Sequence, residues 1–311
     1  MRCVGFEVKS PPRSRRTRSV GIVAPSGFVP DSAVIDRTAR VFTARGWRVL
    51  AGDTCFERHE RFAGNDDLRA AELQHFCTDR SLDLVVAARG GYGVTRCLDR
   101  LDFDAISTAN RVICGYSDFT AFNLAYLARA GGVSLHGPSA TDFGAEKPDP
   151  WTIDTFFDVL DAKPYELAFA ADGSDCDLRG ALWGGNLALV CALLGTPYFP
   201  KVRGGILFVE DVNEPAYKIE RMLLQLLQAG VLQKQRAILL GAFEPVTPMP
   251  NDNGYGLDTA IAFIRARVKT PVITGLPFGH VSRKLTLPIG APVQLVVRES
   301  GARLSWGRWR R

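Results

Sequence analysis

Apolar and polar positions change their period along this chain. From Arg18 to about Asp161, short β-rich runs alternate with longer stretches of helical period, the pattern of a parallel sheet covered by helices. Strands are predicted at 20–24, 47–50, 83–87, 111–115 and 133–135. Helices are predicted at 31–44 behind an Asp31 cap, at 66–76 behind Asn65, and at 118–129 before the Gly131-Gly132 stop. The fold class this implies is α/β, with a doubly wound, flavodoxin-like parallel-sheet domain over residues 18–165.

Composition shifts after Phe143. Pro148, Pro150, Pro164 and the polar run Ala171-Asp172-Gly173-Ser174-Asp175 flank one helix at 153–160 and predict a linker over 166–178. A smaller, mixed α/β and β-rich domain is predicted over 179–311. It has helices at 186–194 and from Pro215 to Gly230, and strands at 205–210, 237–242, 272–274, 285–287 and 293–297. In the second helix Ile219, Met222, Leu223, Leu226 and Leu227 form one apolar stripe, which reads as core packing and not as a cofactor box. No internal repeat is visible.

Composition narrows the picture without changing it. Of 311 residues 46% are hydrophobic and 23% charged, enough for real cores, so disordered and low-complexity classes fall away. Charges, Gly or Pro interrupt every apolar run short of the roughly 18 residues a membrane span needs. Arg2, Lys9, Arg13, Arg15, Arg16 and Arg18, set against Glu7, account for the whole net charge of +5, leaving the rest near neutral and a poor match for a nucleic-acid groove. Residues 1–17 read as a disordered basic extension. Arg15-Arg16 before the Val20–Ala24 run has a second reading as an export signal, but only about five apolar residues precede Pro25 and no small-x-small cleavage site follows. The seven cysteines, at 3, 55, 77, 97, 114, 176 and 191, make no CxxC motif and predict buried thiols in a reducing compartment, so the expected location is cytoplasmic.

Candidate chemistry gathers at the predicted strand ends. In Arg111-Val-Ile-Cys-Gly-Tyr-Ser117-Asp-Phe a strand runs straight into a helix with a serine at the turn. Such an elbow lifts a hydroxyl off the sheet edge and offers the next N–H to an oxyanion. The competing reading is a plain Ser/Asp helix cap. Of four histidines, His59 and His75 lie in a polar run and a helix, whereas His280 sits in the turn Gly275-Leu-Pro-Phe-Gly-His and His136 ends a strand as runner-up. Glu210-Asp211 close an apolar strand and serve equally as a strand-end cap or as the acid orienting a histidine. Arg89-Gly90-Gly91-Tyr92-Gly93 follows another strand and lets backbone N–H groups approach a ligand closely. A dinucleotide fingerprint fails because Arg96 stands where a third glycine belongs, and metal motifs such as His-Glu-x-x-His are missing.

Together these segments resemble one family, the serine LD-carboxypeptidases, which include muramoyl-tetrapeptide carboxypeptidases and microcin C self-immunity peptidases. The likeness runs from Gly21-Ile-Val-Ala-Pro-Ser through Arg89-Gly-Gly-Tyr-Gly, Gly115-Tyr-Ser-Asp, Gly184-Gly-Asn-Leu, Gly195-Thr-Pro, Glu210-Asp-Val, Tyr217 to Arg221-Met-Leu and Gly279-His280 to Thr286-Leu-Pro-Ile-Gly290. It covers nearly everything after residue 20. The resemblance implies Ser117 as nucleophile, Glu210 as acid and His280 as base, with the Asp118 N–H and a glycine N–H of Gly90 or Gly91 as oxyanion hole. Arg89, Tyr92 and Trp183 are candidate substrate-binding residues, Trp183 by stacking on an aromatic group; the competing readings are a core tryptophan for Trp183 and a surface ion pair for Arg89. The family works without cofactor or metal, releases D-alanine from murein tetrapeptides in peptidoglycan recycling, and its members are usually cytoplasmic homodimers with no nucleic-acid or membrane partner. Cleavage of aminoacyl-nucleotide conjugates is the alternative activity. A non-catalytic ligand-binding module is a third reading, which the survival of all three triad residue types opposes. The basic leader and Arg308-Trp-Arg-Arg311 depart from the family pattern.

Overall fold

A computed structural model describes residues 17–161, 163–244 and 250–309. The predicted leader lies almost wholly outside the described residues, as do the last two arginines and Cys3. The first half runs β1 (Ser19–Val23), α1 (Ala33–Thr43), β2 (Arg48–Ala51), α2 (Asp66–Thr78), β3 (Leu84–Ala87), α3 (Phe103–Ala109), β4 (Val112–Cys114), α4 (Thr120–Ala130), β5 (Ser134–His136), α5 (Ala140–Phe143) and α6 (Pro150–Leu160). The second runs β6 (Tyr165–Phe169), β7 (Cys176–Asn186), α7 (Leu187–Leu193), β8 (Ile206–Asp211), α8 (Ala216–Gln228), β9 (Ala237–Phe243), α9 (Leu257–Arg265), β10 (Val272–Thr274), β11 (Leu287–Ile289), β12 (Pro292–Arg298) and β13 (Gly301–Trp306).

The first sheet has the order β11-β5-β4-β3-β1-β2. Strands β1 to β5 are mutually parallel, and their order 2-1-3-4-5 is the flavodoxin-like winding. It switches direction between β1 and β3, so the loops leaving those two strands part at the carboxyl edge. The second sheet, β10-β9-β8-β7-β12-β13-β6, is parallel over β7 to β10 and antiparallel beyond. One strand crosses between the halves: β11 pairs antiparallel with β5, Leu287 opposite His136. Of residues 166–178, expected as a linker, 166–169 lie in β6 and 176–178 begin β7, leaving 170–175 as the connection between them. Strand β6 and the first part of β7 present alternating half-buried and exposed positions, so no apolar run announces them there.

Local signals act where their chemistry allows. The Asn65 side chain accepts from Leu68 N–H at 2.8 Å and caps α2, and Gly131 ends α4 in the left-handed region. At α1 the cap position is Ser32, while Asp31 one residue earlier accepts from Ala33 N–H at 3.0 Å. On α8 the predicted stripe is core: Ile219, Met222, Leu223 and Leu226 are buried, with Leu227 half-buried against them. The helix α4 packs on α7 and β7, and one continuous apolar cluster joins Ile113 and Phe122 of the first half to Trp183, Leu187 and Leu223 of the second. The described cysteines are all free; Cys55, Cys77, Cys97, Cys114 and Cys191 are buried and Cys176 is half-buried. Among the described residues no helix is long and apolar enough to cross a membrane.

Candidate active site

Strand β4 ends at Cys114, and the chain turns through Gly115 and Tyr116 into a single 3-10 turn, Ser117–Phe119, ahead of α4. Ser117 takes a φ of 62°, a left-handed conformation a β-carbon makes costly, so the surrounding structure holds this residue in strain. The cap reading of Ser117 fails. Its hydroxyl faces His280, whose Nε2 stands 2.9 Å from Ser117 Oγ, and α4 begins three residues later.

His280 follows β10, from the other half of the molecule, and its Nδ1 lies 2.7 Å from Glu210 Oε2 at the end of β8. An ionised carboxylate can only accept, so Nδ1 carries the proton and Nε2 is left to accept from the serine hydroxyl. Glu210 is wholly buried, the imidazole is 17% exposed and Ser117 is half-buried, so the hydrogen-bonded line Ser117–His280–Glu210 is closed to solvent at its glutamate end.

The Arg89–Gly93 loop comes against this line from β3. A β-carbon on Gly90 would come 2.5 Å from Ser117 Cβ and Oγ, and 3.4 Å from the Asp118 nitrogen. Only glycine fits, and its backbone and the Asp118 amide thereby flank the hydroxyl. Gly91, at φ 111°, turns the loop away. The Asp118 carboxylate fastens the loop: Oδ2 accepts from Val94 N–H at 2.9 Å and from the Ser26 hydroxyl at 2.7 Å, while burial pushes the acid's pKa up against both bonds. The loop after β1 joins in, Gly27 N–H donating to Gly90 O at 3.3 Å.

The other expected residues divide. Arg89 is half-buried, donates to Phe28 O at 2.7 Å, and has no carboxylate partner among the described residues. Tyr92 is 43% exposed, tilted against Phe62 with the Arg61 guanidinium 5.8 Å from its ring centre. Trp183 is not a binding residue: it is fully buried, donates through Nε1 to Gln235 Oε1 at 2.9 Å, and packs edge-on to Phe199. An indole so enclosed has no face left for a ligand. His136 is likewise removed from the chemistry. It is buried against Phe208 and Phe278, and its Nδ1 accepts from Asn123 Nδ2 at 3.0 Å. Burial, reinforced by nearby His280, pushes its pKa down to about 3. His59 and His75 take no part.

Sequence reasoning missed the frame behind these groups. Thr120 Oγ1 accepts from Asn186 N–H at 3.0 Å, and Asn186 Nδ2 donates to Asp211 Oδ1 at 2.9 Å, tying the helix that follows Ser117 to the strand that carries Glu210. Asn123 Nδ2 also donates to Gly115 O at 3.0 Å and pins the elbow itself. The motif Gly184-Gly-Asn-Leu, quoted as part of the likeness, held this signal in its asparagine. Among the described residues no group of three His, Cys, Asp or Glu side chains is placed to hold a metal ion.

The chain is similar to known proteins over nearly its whole length. Residues 20–137 match the model of the LD-carboxypeptidase N-terminal domain and residues 179–295 that of the C-terminal domain. A putative carboxypeptidase of Streptomyces coelicolor is 36% identical over 93% of this chain and 94% of its own length. The murein tetrapeptide carboxypeptidase of Pseudomonas aeruginosa is 30% identical over 92% and 94%. The crystal structure of muramoyltetrapeptide carboxypeptidase from Oxalobacter formigenes superposes with a TM-score of 0.89 at 39% identity, covering 94% of this chain and all of that one. The microcin C7 self-immunity protein, solved with aspartyl sulfamoyl adenosine, shares the fold with a TM-score of 0.84 at 22% identity, over 93% of this chain and 96% of its own.

Proposed function

The chain belongs to the LD-carboxypeptidase family, and we propose that it is the serine enzyme that releases terminal D-alanine from murein tetrapeptides in peptidoglycan recycling. The observation that carries this reading is the hydrogen-bonded line from Ser117 through His280 to Glu210, with its serine in a strained turn. In the first step His280 Nε2 takes the hydroxyl proton as Ser117 Oγ bonds to the carbonyl carbon between diaminopimelate and D-alanine. The negative charge on the carbonyl oxygen is met by the Asp118 N–H and a glycine N–H of Gly90 or Gly91. His280 then protonates the departing amine as the C–N bond breaks, and Glu210 steadies the imidazolium between the two transfers. Water, deprotonated by the same histidine, hydrolyses the acyl-enzyme and returns the serine.

Arg89 suits the substrate's terminal carboxylate, because it lies beside the glycine pair with only a carbonyl as its bonding partner. On the same family footing the enzyme works without cofactor, in the cytoplasm, as a homodimer. Cleavage of aminoacyl-nucleotide conjugates is the second reading, supported by the shared fold and weakened by the enclosure of Trp183. One experiment separates them. L-Ala-D-Glu-meso-diaminopimelate-D-Ala, its epimer ending in L-alanine, and an aminoacyl sulfamoyl adenosine are each incubated with enzyme and followed by mass spectrometry. The D-epimer alone should be cut, since inverting the last centre swaps methyl for carboxylate and leaves polar groups unpaired, a mismatch that can discriminate by as much as about 10⁴. Equal cleavage of both epimers sinks the proposal, and turnover of the nucleotide conjugate alone favours the second reading.

A further inference from the structure

Four residues after His280 the chain buries a lysine. The Lys284 side chain is 2% exposed, and its ammonium is paired with Asp142 of the α5 cap. The same nitrogen donates to the Tyr116 hydroxyl at 3.1 Å, and that hydroxyl lies 3.4 Å from Asp142 Oδ1. A buried ion pair is costly to desolvate and is weak evidence for stability, so its presence asks for another explanation.

The neighbours suggest one. Tyr116 immediately precedes Ser117, and its ring packs against the His280 imidazole at 5.2 Å between centres. Asp142 is fixed from its own side, Oδ2 accepting from Ser139 N–H at 2.8 Å and from the Ser139 hydroxyl at 2.9 Å. The segment carrying Lys284 is tied to the first half at further points: Lys284 N–H donates to Thr152 Oγ1 at 2.9 Å, and the Thr152 hydroxyl to Ser282 O at 3.1 Å. Ser117 and His280 come from different halves, so something must fix the gap between them. We propose that Lys284 is a positioning residue which, through Asp142 and the Tyr116 hydroxyl, clamps the His280 loop to the serine elbow and sets the Ser117–His280 geometry. The inference rests on Ser117 and His280 acting as nucleophile and base. A displaced loop would leave substrate binding intact and slow the attack, because near-attack geometry is sensitive to shifts of about 1 Å.

The test uses two readouts on the full chain. One is the labelling rate of Ser117 by a small fluorophosphonate, which needs an activated serine but no knowledge of the natural substrate. The other is kcat and KM on the tetrapeptide. The neutral double substitution Lys284→Met with Asp142→Asn removes both charges together, and Tyr116→Phe removes only the hydroxyl. The double variant should melt near the wild-type temperature and yet label and turn over more slowly by on the order of 10- to 100-fold, with KM held within about twofold. Tyr116→Phe should show the same split more mildly. Wild-type labelling in a folded double variant overturns the proposal, and should that variant not fold, wild-type labelling in Tyr116→Phe does so. A native protein that neither labels nor cleaves, indistinguishable from Ser117→Ala, fails the Ser117 reading itself and takes this inference with it.

Discussion

Ser117 and His136 show how little a residue type says until its surroundings are known. Alanine keeps the β-carbon that φ 62° already strains, so Ser117→Ala adds no new backbone cost. Its expected result is a loss on the order of 10⁶ in kcat with an unchanged melting temperature, against about 1 kcal/mol of stability and no rate effect had the side chain been a cap. Turnover assays beside thermal melts check this. His136 should behave in the opposite way. Its folded pKa of about 3 lies below the ordinary 6.5, so between those values the unfolded chain binds a proton that the native one refuses. Stability from this residue is therefore whole above pH 6.5 and drains as the pH falls, by at most about 1.4 kcal/mol per unit. His136→Gln, which never charges, should retain most of its kcat and give a shallower fall in melting temperature from pH 7 to 4.5. A steeper fall would contradict burial of a neutral His136, and a dead enzyme would place it in the chemistry.

Strands and loops were legible to different depths. The parallel strands of the first sheet are short β-branched runs bounded by turn residues, and their expected positions agree with the observed ones within a residue or two. Strands β6, β13 and the first part of β7 lay hidden because each keeps one face half-open, which dilutes the apolar signal. That Ser117, His280 and Glu210 come together was readable because each ends or follows a strand and because the order of motifs resembled a known family. Lys284, Asp142 and Thr152 were not, since their partners stand more than a hundred positions apart and no local pattern carries such a pairing. The Gly90 loop offers the sharpest check at this level. In Gly90→Ala the new methyl would need to occupy space 2.5 Å from Ser117 Oγ, so hydrolysis should fall by at least about a hundredfold while the protein stays folded. Normal turnover in that variant would mean the loop stands farther from the serine than described.

Taken whole, the molecule is held together at its chemistry. The serine comes from the first sheet, the glutamate and histidine from the second, and the α4 helix lies in an apolar cluster shared by both. Such continuity leaves no cleavage plane along which one half could melt alone. Calorimetry is expected to show a single transition, and a chain ending at residue 161 should aggregate, since without β11 the His136 strand becomes an open sheet edge. Two resolved transitions, or a soluble and monomeric fragment, would contradict this.

The crossing strand also sets a timetable for biosynthesis. Roughly 150 residues of chain separate His136 from its partner Leu287, which at about 5–20 residues per second takes a ribosome on the order of 10 to 30 s. Through nearly all of that interval the emerging first sheet carries an unsealed border, and on the roles proposed above the Ser117 hydroxyl still lacks its activating imidazole. On the roles proposed above, the hydrolase is thus inert until the histidine, 163 positions after the serine, has been made and seated.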